Sequence, residues 1–154
     1  MVLGLGRPLA VPHPDDPGVL LGTEADLARC RALGVTAVVS LCRVGVADLA
    51  AAGVAPDKHV EVWLIDTDDP DANAHLAWTL DDAARTVAQL RADGETVLLH
   101  CVAAEHRTPA AALAYSRLLG LDAAADATAA ARIERALGHP VSGLLWRTAR
   151  GRDA

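Results

Sequence analysis

From residue 18 onward, short apolar runs alternate with stretches of helical period. Val19-Leu20-Leu21 reads as a short strand, and the β-branched run Val35 to Leu41, opened by Gly34, as a buried one. Val60 to Ile65 repeats that pattern, interrupted only by Glu61, and Thr96 to Leu99 supplies a further buried strand. Thr23, with Asp26 three residues on, marks the start of a capped helix that runs to about Leu33 and is closed by Gly34. A long helix is predicted where Leu76, Leu80, Ala83, Val87 and Leu90 recur at alternating steps of four and three. Asp81, Asp82, Arg85 and Gln89 fall on its opposite face, with Asp81 and Arg85 spaced as a favourable pair. Gly94 ends it. Another helix opens at Thr108 with Pro109 in its first turn, where a missing N–H costs nothing. Ala-rich helices near 122 to 137 and 142 to 150 follow, separated by Gly138 and Pro140.

Strands alternating with helices predict an α/β fold, with a central, mostly parallel sheet flanked by helices and ligands at the carboxyl ends of its strands. Residues 7 to 17 hold four of the eight prolines and are expected to run irregularly over the surface. The reading is one domain over 1 to 154, with an irregular segment at 1 to 17 and a core from about 18 to 150. No internal repeat is evident.

Composition narrows the function. Apolar residues form 52% of the sequence and charged ones 22%, a globular balance. With no Phe, one Tyr and three Trp, burial has to come from Ala, Val and Leu. The net charge of −6, with arginines scattered among acids, repels a nucleic-acid backbone, so no nucleic-acid partner is expected. Three unevenly spaced cysteines, Cys30, Cys42 and Cys101, suit a reduced compartment. Met1-Val2-Leu3-Gly4-Leu5-Gly6-Arg7 shows no signal peptide or membrane anchor, so a cytoplasmic location without membrane association is expected.

Chemistry concentrates in Val97-Leu98-Leu99-His100-Cys101-Val102-Ala103-Ala104-Glu105-His106-Arg107-Thr108-Pro109. A strand delivers a cysteine to a short loop, and a helix begins where that loop ends, so loop N–H groups and the helix dipole converge on one spot. The positive helix end and Arg107 favour the thiolate of Cys101. Arg107 is spaced to bind two phosphate oxygens through its planar fork, while the N–H groups of Val102, Ala103, Ala104, Glu105 and His106 take the others. Thr108 is placed to donate a hydrogen bond to the sulfur.

His-Cys, five residues, then Arg-Thr resembles the signature of the dual-specificity branch of the protein tyrosine phosphatase superfamily. Leu21-Gly22 before a helix, Gly34-Val35 before a strand, an acidic loop and a long helix follow the order of that fold across roughly 18 to 150. The resemblance implies a two-step phosphatase without metal or cofactor. In it Cys101 attacks phosphorus and an aspartate about thirty residues upstream protonates the leaving oxygen. Asp69 fits when counted back from Cys101, and Asp66 fits when counted forward from the strand end; Asp68 and Asp71 are further candidates. Microscopic reversibility gives the same carboxylate the task of activating water. His100 is expected to orient the loop, and His106 to face solvent or contact substrate. The family pattern places glycine where Ala104 stands. A left-handed backbone there costs an alanine about 1 kcal/mol, so a loop of altered shape is expected. Glu105 would repel a bound dianion unless it points to solvent, or it selects a substrate carrying a positive group. In some phosphatases of the superfamily a second cysteine forms a reversible disulfide with the nucleophile, which makes Cys42 a candidate redox partner; the alternative is a buried small side chain.

The expected substrate is a phosphorylated protein or a small phosphate ester. Two other readings stay open. One is a phosphate-binding module without turnover. The other is a Mg²⁺-dependent phosphatase of the haloacid-dehalogenase type, suggested by Trp63-Leu64-Ile65-Asp66-Thr67-Asp68, although the lysine such enzymes need downstream has no counterpart beyond Lys58.

Overall fold

A computed structural model describes residues 6–120 and 123–151, with the backbone alone for 123–128. The opening Met1-Val2-Leu3-Gly4-Leu5 and residue 122, the expected helix start, lie outside the described residues. Five strands form the sheet: β1 (Val11–His13), β2 (Asp16–Gly22), β3 (Ala37–Ser40), β4 (His59–Glu61) and β5 (Val97–His100). The helices are α1 (Cys30–Leu33), α2 (Val46–Ala52), α3 (Leu76–Ala92), α4 (Arg107–Leu118), α5 (Ala123–Leu137) and α6 (Leu144–Ala149). The strand order is β1-β2-β5-β3-β4, and every pairing is parallel except that of β1 with β2. This is the α/β architecture expected from the alternating pattern.

Register explains the core. Leu20, Leu98 and Val38 lie side by side, as do Leu21, Leu99 and Val39. Side chains alternate across a sheet, so these rows face opposite ways. The Leu21-Leu99-Val39 row packs into the large cluster with Leu80, Ala83 and Val87 of α3, Leu113 of α4 and Ile133 of α5. The Leu20-Leu98-Val38 row packs with Leu27, Cys30 and Ala52. Helix α4 is buried along Thr108 to Ser116, which its run of alanines permits because the side chains leave room for neighbours on every side.

Several expectations are corrected. Residues 7 to 17 do not all run irregularly: β1 pairs antiparallel with β2, which starts at Asp16. Pro12 is tolerated because β1 is an edge strand whose outer side needs no donor. The helix after Thr23 begins as a 3-10 segment, Glu24–Arg29, and becomes α-helical only at Cys30. The run Val60 to Ile65 is a strand only as far as Glu61, although Val62 N still donates to Ser40 O (2.8 Å). Arg85 lies 3.8 Å from Asp82, one residue nearer along the helix than the expected Asp81. Helix α2 went unpredicted; its flanks Gly45 and Gly53 bracket a weakly periodic sequence.

Asp26 holds the amino-terminal segment in place. It is fully buried, and its carboxylate accepts from Leu9 N (3.0 Å), Ala10 N (3.0 Å), Thr23 N (2.9 Å) and the Arg29 guanidinium (2.8 Å). Gly22 makes room for it, since a Cβ there would lie 2.6 Å from Asp26 Oδ2. We expect Asp26→Ala to cost about 3–5 kcal/mol, because it strands buried donors and an arginine at once. Urea unfolding would read this directly, and a loss under about 1 kcal/mol would mean that water replaces the carboxylate.

Candidate active site

Strand β5 is central, with β2 and β3 on either side, so its last residue delivers Cys101 to the middle of the sheet's carboxyl edge. The chain has six residues, 101 to 106, in which to leave the sheet and enter α4. Cys101 is 2% exposed. Its Sγ accepts hydrogen bonds from Ala104 N (3.3 Å) and from Thr108 Oγ1 (3.1 Å). Thr108 Oγ1 also reaches Gly22 O at 3.4 Å.

Ala104 is buried with φ +60, so the backbone is left-handed there despite the alanine. The strain of about 1 kcal/mol is held by the surrounding contacts. Behind the loop, Glu24 N donates to Val102 O at 3.2 Å. A Cβ on Gly6 would collide with Val102 O, and would come within 2.8 Å of Ala103 Cα. Gly6 therefore packs against the back of the loop, and Asp26 holds the segment next to it. Sequence reasoning marked Asp26 only as part of a helix cap and missed Gly6, because a contact between residues 6 and 102 leaves no periodic trace.

His100 is fully buried in a chain of polar contacts. Its Nδ1 lies 3.1 Å from Cys101 O, its Nε2 lies 2.7 Å from Ser40 Oγ, and Ser40 Oγ lies 2.9 Å from His59 Nε2. One assignment satisfies every member: His59 Nε2–H donates to Ser40, Ser40 donates to His100 Nε2, and His100 Nδ1–H donates to the carbonyl of Cys101. Burial pushes the His100 pKa down to about 4, against an opposing effect of the Cys101 carbonyl. The ring is neutral and works as a fixed brace.

Arg107 opens α4. Its Nη1 donates to Leu41 O (3.2 Å), just past β3, and to Leu64 O (3.4 Å), beyond β4. Its Nε is buried and, among the described residues, has no hydrogen-bond partner. Arg107, Cys42 and Asp66 line one cavity of about 340 Å³, with Leu41, Val62 and Leu64 among its walls. Cys101 is not part of that lining. Burial pushes the Cys42 thiol up to about 12, with Arg107 opposing, so at neutral pH it remains protonated. All three cysteines are free thiols.

The acidic loop is sorted by its contacts. Asp66 faces the cavity and pairs with His106 Nδ1 at 3.1 Å. Asp68 Oδ1 accepts from Leu144 N at the start of α6 (2.9 Å). Asp69 is exposed and closes a turn, its Oδ1 accepting from Asp71 N at 2.9 Å. Asp71 is exposed as well. Glu105 is exposed, and with His106 and His139 it lines a second cavity of about 260 Å³. Among the described residues, no three His, Cys, Asp or Glu side chains are grouped to hold a metal ion. None of the helices there is long and apolar enough to cross a membrane.

Comparison with solved structures matches this architecture to phosphatases. Human DUSP28 superposes with a TM-score of 0.73 at 18% identity, covering 96% of this chain and 94% of that one. The PTP-2 phosphatase of Cydia pomonella gives 0.69 at 23% identity, over 86% of this chain and 84% of its own. The Yvh1 phosphatase domain of Chaetomium thermophilum gives 0.69 at 20%, over 92% and 93%. No protein-family model matches the chain, and no curated protein sequence does. The chain thus has the fold of the protein tyrosine and dual-specificity phosphatases. The strand end that the haloacid-dehalogenase reading needs for its Asp-x-Asp is missing. Asp66-Thr67-Asp68 lies beyond the end of β4 at Glu61, and Lys58 is paired with Glu95 at 3.1 Å.

Because the unfolded chain takes up a proton on His100 near pH 6.5 and the folded chain only near 4, the neutral ring favours folding fully above that window. Stability is lost as pH falls from 6.5 toward 4, by about 3 kcal/mol from His100. His13 and His59, both shifted down by burial, add to the slope. Urea midpoints measured between pH 7 and 5 should fall, and less steeply in His100→Asn; parallel lines for the two would contradict the assignment.

Proposed function

We propose that this chain is a phosphate monoester hydrolase that works through a phospho-cysteine at Cys101. The observation that carries the reading is the sulfur at the carboxyl end of β5, receiving donors from Ala104 N and Thr108 Oγ1 beside the first residue of α4. Donors aimed at a sulfur favour its anionic form. The unpartnered Arg107 Nε is a buried donor of the kind a phosphate oxygen satisfies.

In the first step the Cys101 thiolate attacks phosphorus, and the bond to the leaving oxygen breaks. The electron pair goes to that oxygen, which takes a proton from Asp66. The N–H groups from Val102 to His106 and the Arg107 fork carry the charge that builds on the equatorial oxygens. In the second step water attacks phosphorus and passes its proton to Asp66, while sulfur departs with the Thr108 hydroxyl bonded to it. Asp66 is preferred over Asp69 because it shares the cavity of Arg107, whereas Asp69 closes a turn at the surface. His100 orients the loop through Cys101 O. Substrates of this reading are phosphorylated proteins or small phosphate esters. A loop that binds phosphate without turnover is the competing reading, and activity separates the two.

Hydrolysis of phenyl phosphate in EDTA tests the proposal. Cys101→Ser should abolish turnover. Asp66→Asn should lower kcat by about 10²–10⁴, the usual worth of a positioned acid, while Asp69→Asn stays close to wild type. Arg107→Lys should lose most activity, since it keeps the charge but not the fork. Equal rates for wild type and Cys101→Ser would end the proposal, and a large loss in Asp69→Asn alone would reassign the acid.

A further inference from the structure

Past the end of β4 the side chains divide by burial. Val62 and Leu64 are buried, whereas Trp63 is 73% exposed and Ile65 is 54% exposed. Trp63 does little for the core, yet it borders the cavity that Arg107 and Asp66 also line. Leu41, Cys42 and Arg43 line the same cavity, and the Arg43 guanidinium lies over the Trp63 ring, 4.8 Å from its centroid.

Two features of Arg43 need a reason. It is exposed, and among the described residues no carboxylate forms an ion pair with it. Glu61, the acid nearest in that register, instead accepts from Val44 N at 2.9 Å. The chain as a whole carries −6, so a cavity holding two arginines against the one carboxylate of Asp66, itself paired with His106, departs from the general surface. Arg43 also stands close to the phosphate end. Arg107 is anchored on Leu41 O, two residues away, and two residues of extended chain span about 7 Å at most. A cavity of about 340 Å³ is at the small end for ligand sites, which suits one ring with a short substituent.

We propose that Trp63 and Arg43 form a leaving-group subsite for an aryl phosphate that carries a second negative group. The ring lies against Trp63 and Ile65, and Arg43 takes the second charge. This rests on the phosphatase reading only for which end of the ligand enters the loop. The Arg43–Trp63 contact fixes the guanidinium in advance, so less side-chain freedom is lost when the anion arrives.

Non-hydrolysable probes separate this subsite from turnover. Calorimetry of the wild-type chain with para-carboxyphenylphosphonate and with phenylphosphonate should give a Kd about five-fold lower for the former, the upper end for an exposed ion pair. The preference should shrink in 0.5 M salt, where screening is stronger by about a factor of two in length. In Arg43→Gln the ratio should fall to about one. Trp63→Ala should weaken both probes about two- to ten-fold, the range for lost ring contacts. A phosphonate analogue of a phosphotyrosine peptide, flanked by Asp or by Ser, tells the two sources of the second charge apart. An Arg43-dependent gain from Asp assigns it to a protein neighbour, and a gain confined to the carboxyphenyl probe assigns it to a small molecule. Equal affinities for the two small probes, a ratio that survives in Arg43→Gln, or no binding of either would overturn the subsite. A chain that binds both probes with the expected ratio yet fails to hydrolyse phenyl phosphate would sink the phosphatase reading alone.

Discussion

The site depends on one constraint: a strand buried in the middle of a parallel sheet has to become a buried helix within six residues. Neither element can shift, since β5 is hydrogen-bonded on both edges and α4 is enclosed from Thr108 to Ser116. The connecting backbone therefore has to curl tightly, which turns Ala104 N toward the inside of the curl. Cys101 stands at the centre of that curl, with Ala104 N and Thr108 Oγ1 aimed at its sulfur. The left-handed Ala104 is a consequence of the same geometry, a local cost held in place by packing.

Two polar assemblies keep the curl from relaxing. On one side, Asp26 gathers Leu9, Ala10 and Thr23, which brings Gly6 against Val102 and Ala103. On the other, His59, Ser40 and His100 run from β4 through β3 to the Cys101 carbonyl, stepping across three strands of the sheet. Both are fully paired, which is the condition under which buried polar groups stiffen a structure. Buried, the His100 ring stays neutral, so it braces the loop without placing a positive charge in the core.

Arg107 joins the loop to the substrate side. By donating to Leu41 O and Leu64 O it ties the segments after β3 and β4 to the first turn of α4. Those same segments carry Cys42, Arg43, Trp63 and Asp66. The groups that would bind phosphate and those that would meet the leaving group are thus held by a single guanidinium. In the proposed reaction, chemistry and selectivity are mechanically linked at this point, and the small cavity beside Arg107 receives the leaving group.

Much of this was legible beforehand. The apolar runs at Val19, Val35 and Thr96 and the four-three spacing of Leu76 to Leu90 identify strands and a helix, because burial of one face imposes a period on the residues themselves. The stretch from His100 to Thr108 is equally readable, since its chemistry lies in neighbours along the chain. The tertiary structure alone decided what neighbours in sequence cannot report. It turned a proline-rich segment into an edge strand against Leu21, gave Asp26 its distant partners, and separated Asp66 from Asp69 by pointing one into a cavity and the other into a turn. It also showed that Ala104 accepts the turn expected of glycine. The physical reason is the same each time: a period records which face is buried, whereas a contact between residues far apart in the chain exists only once the sheet has set their positions.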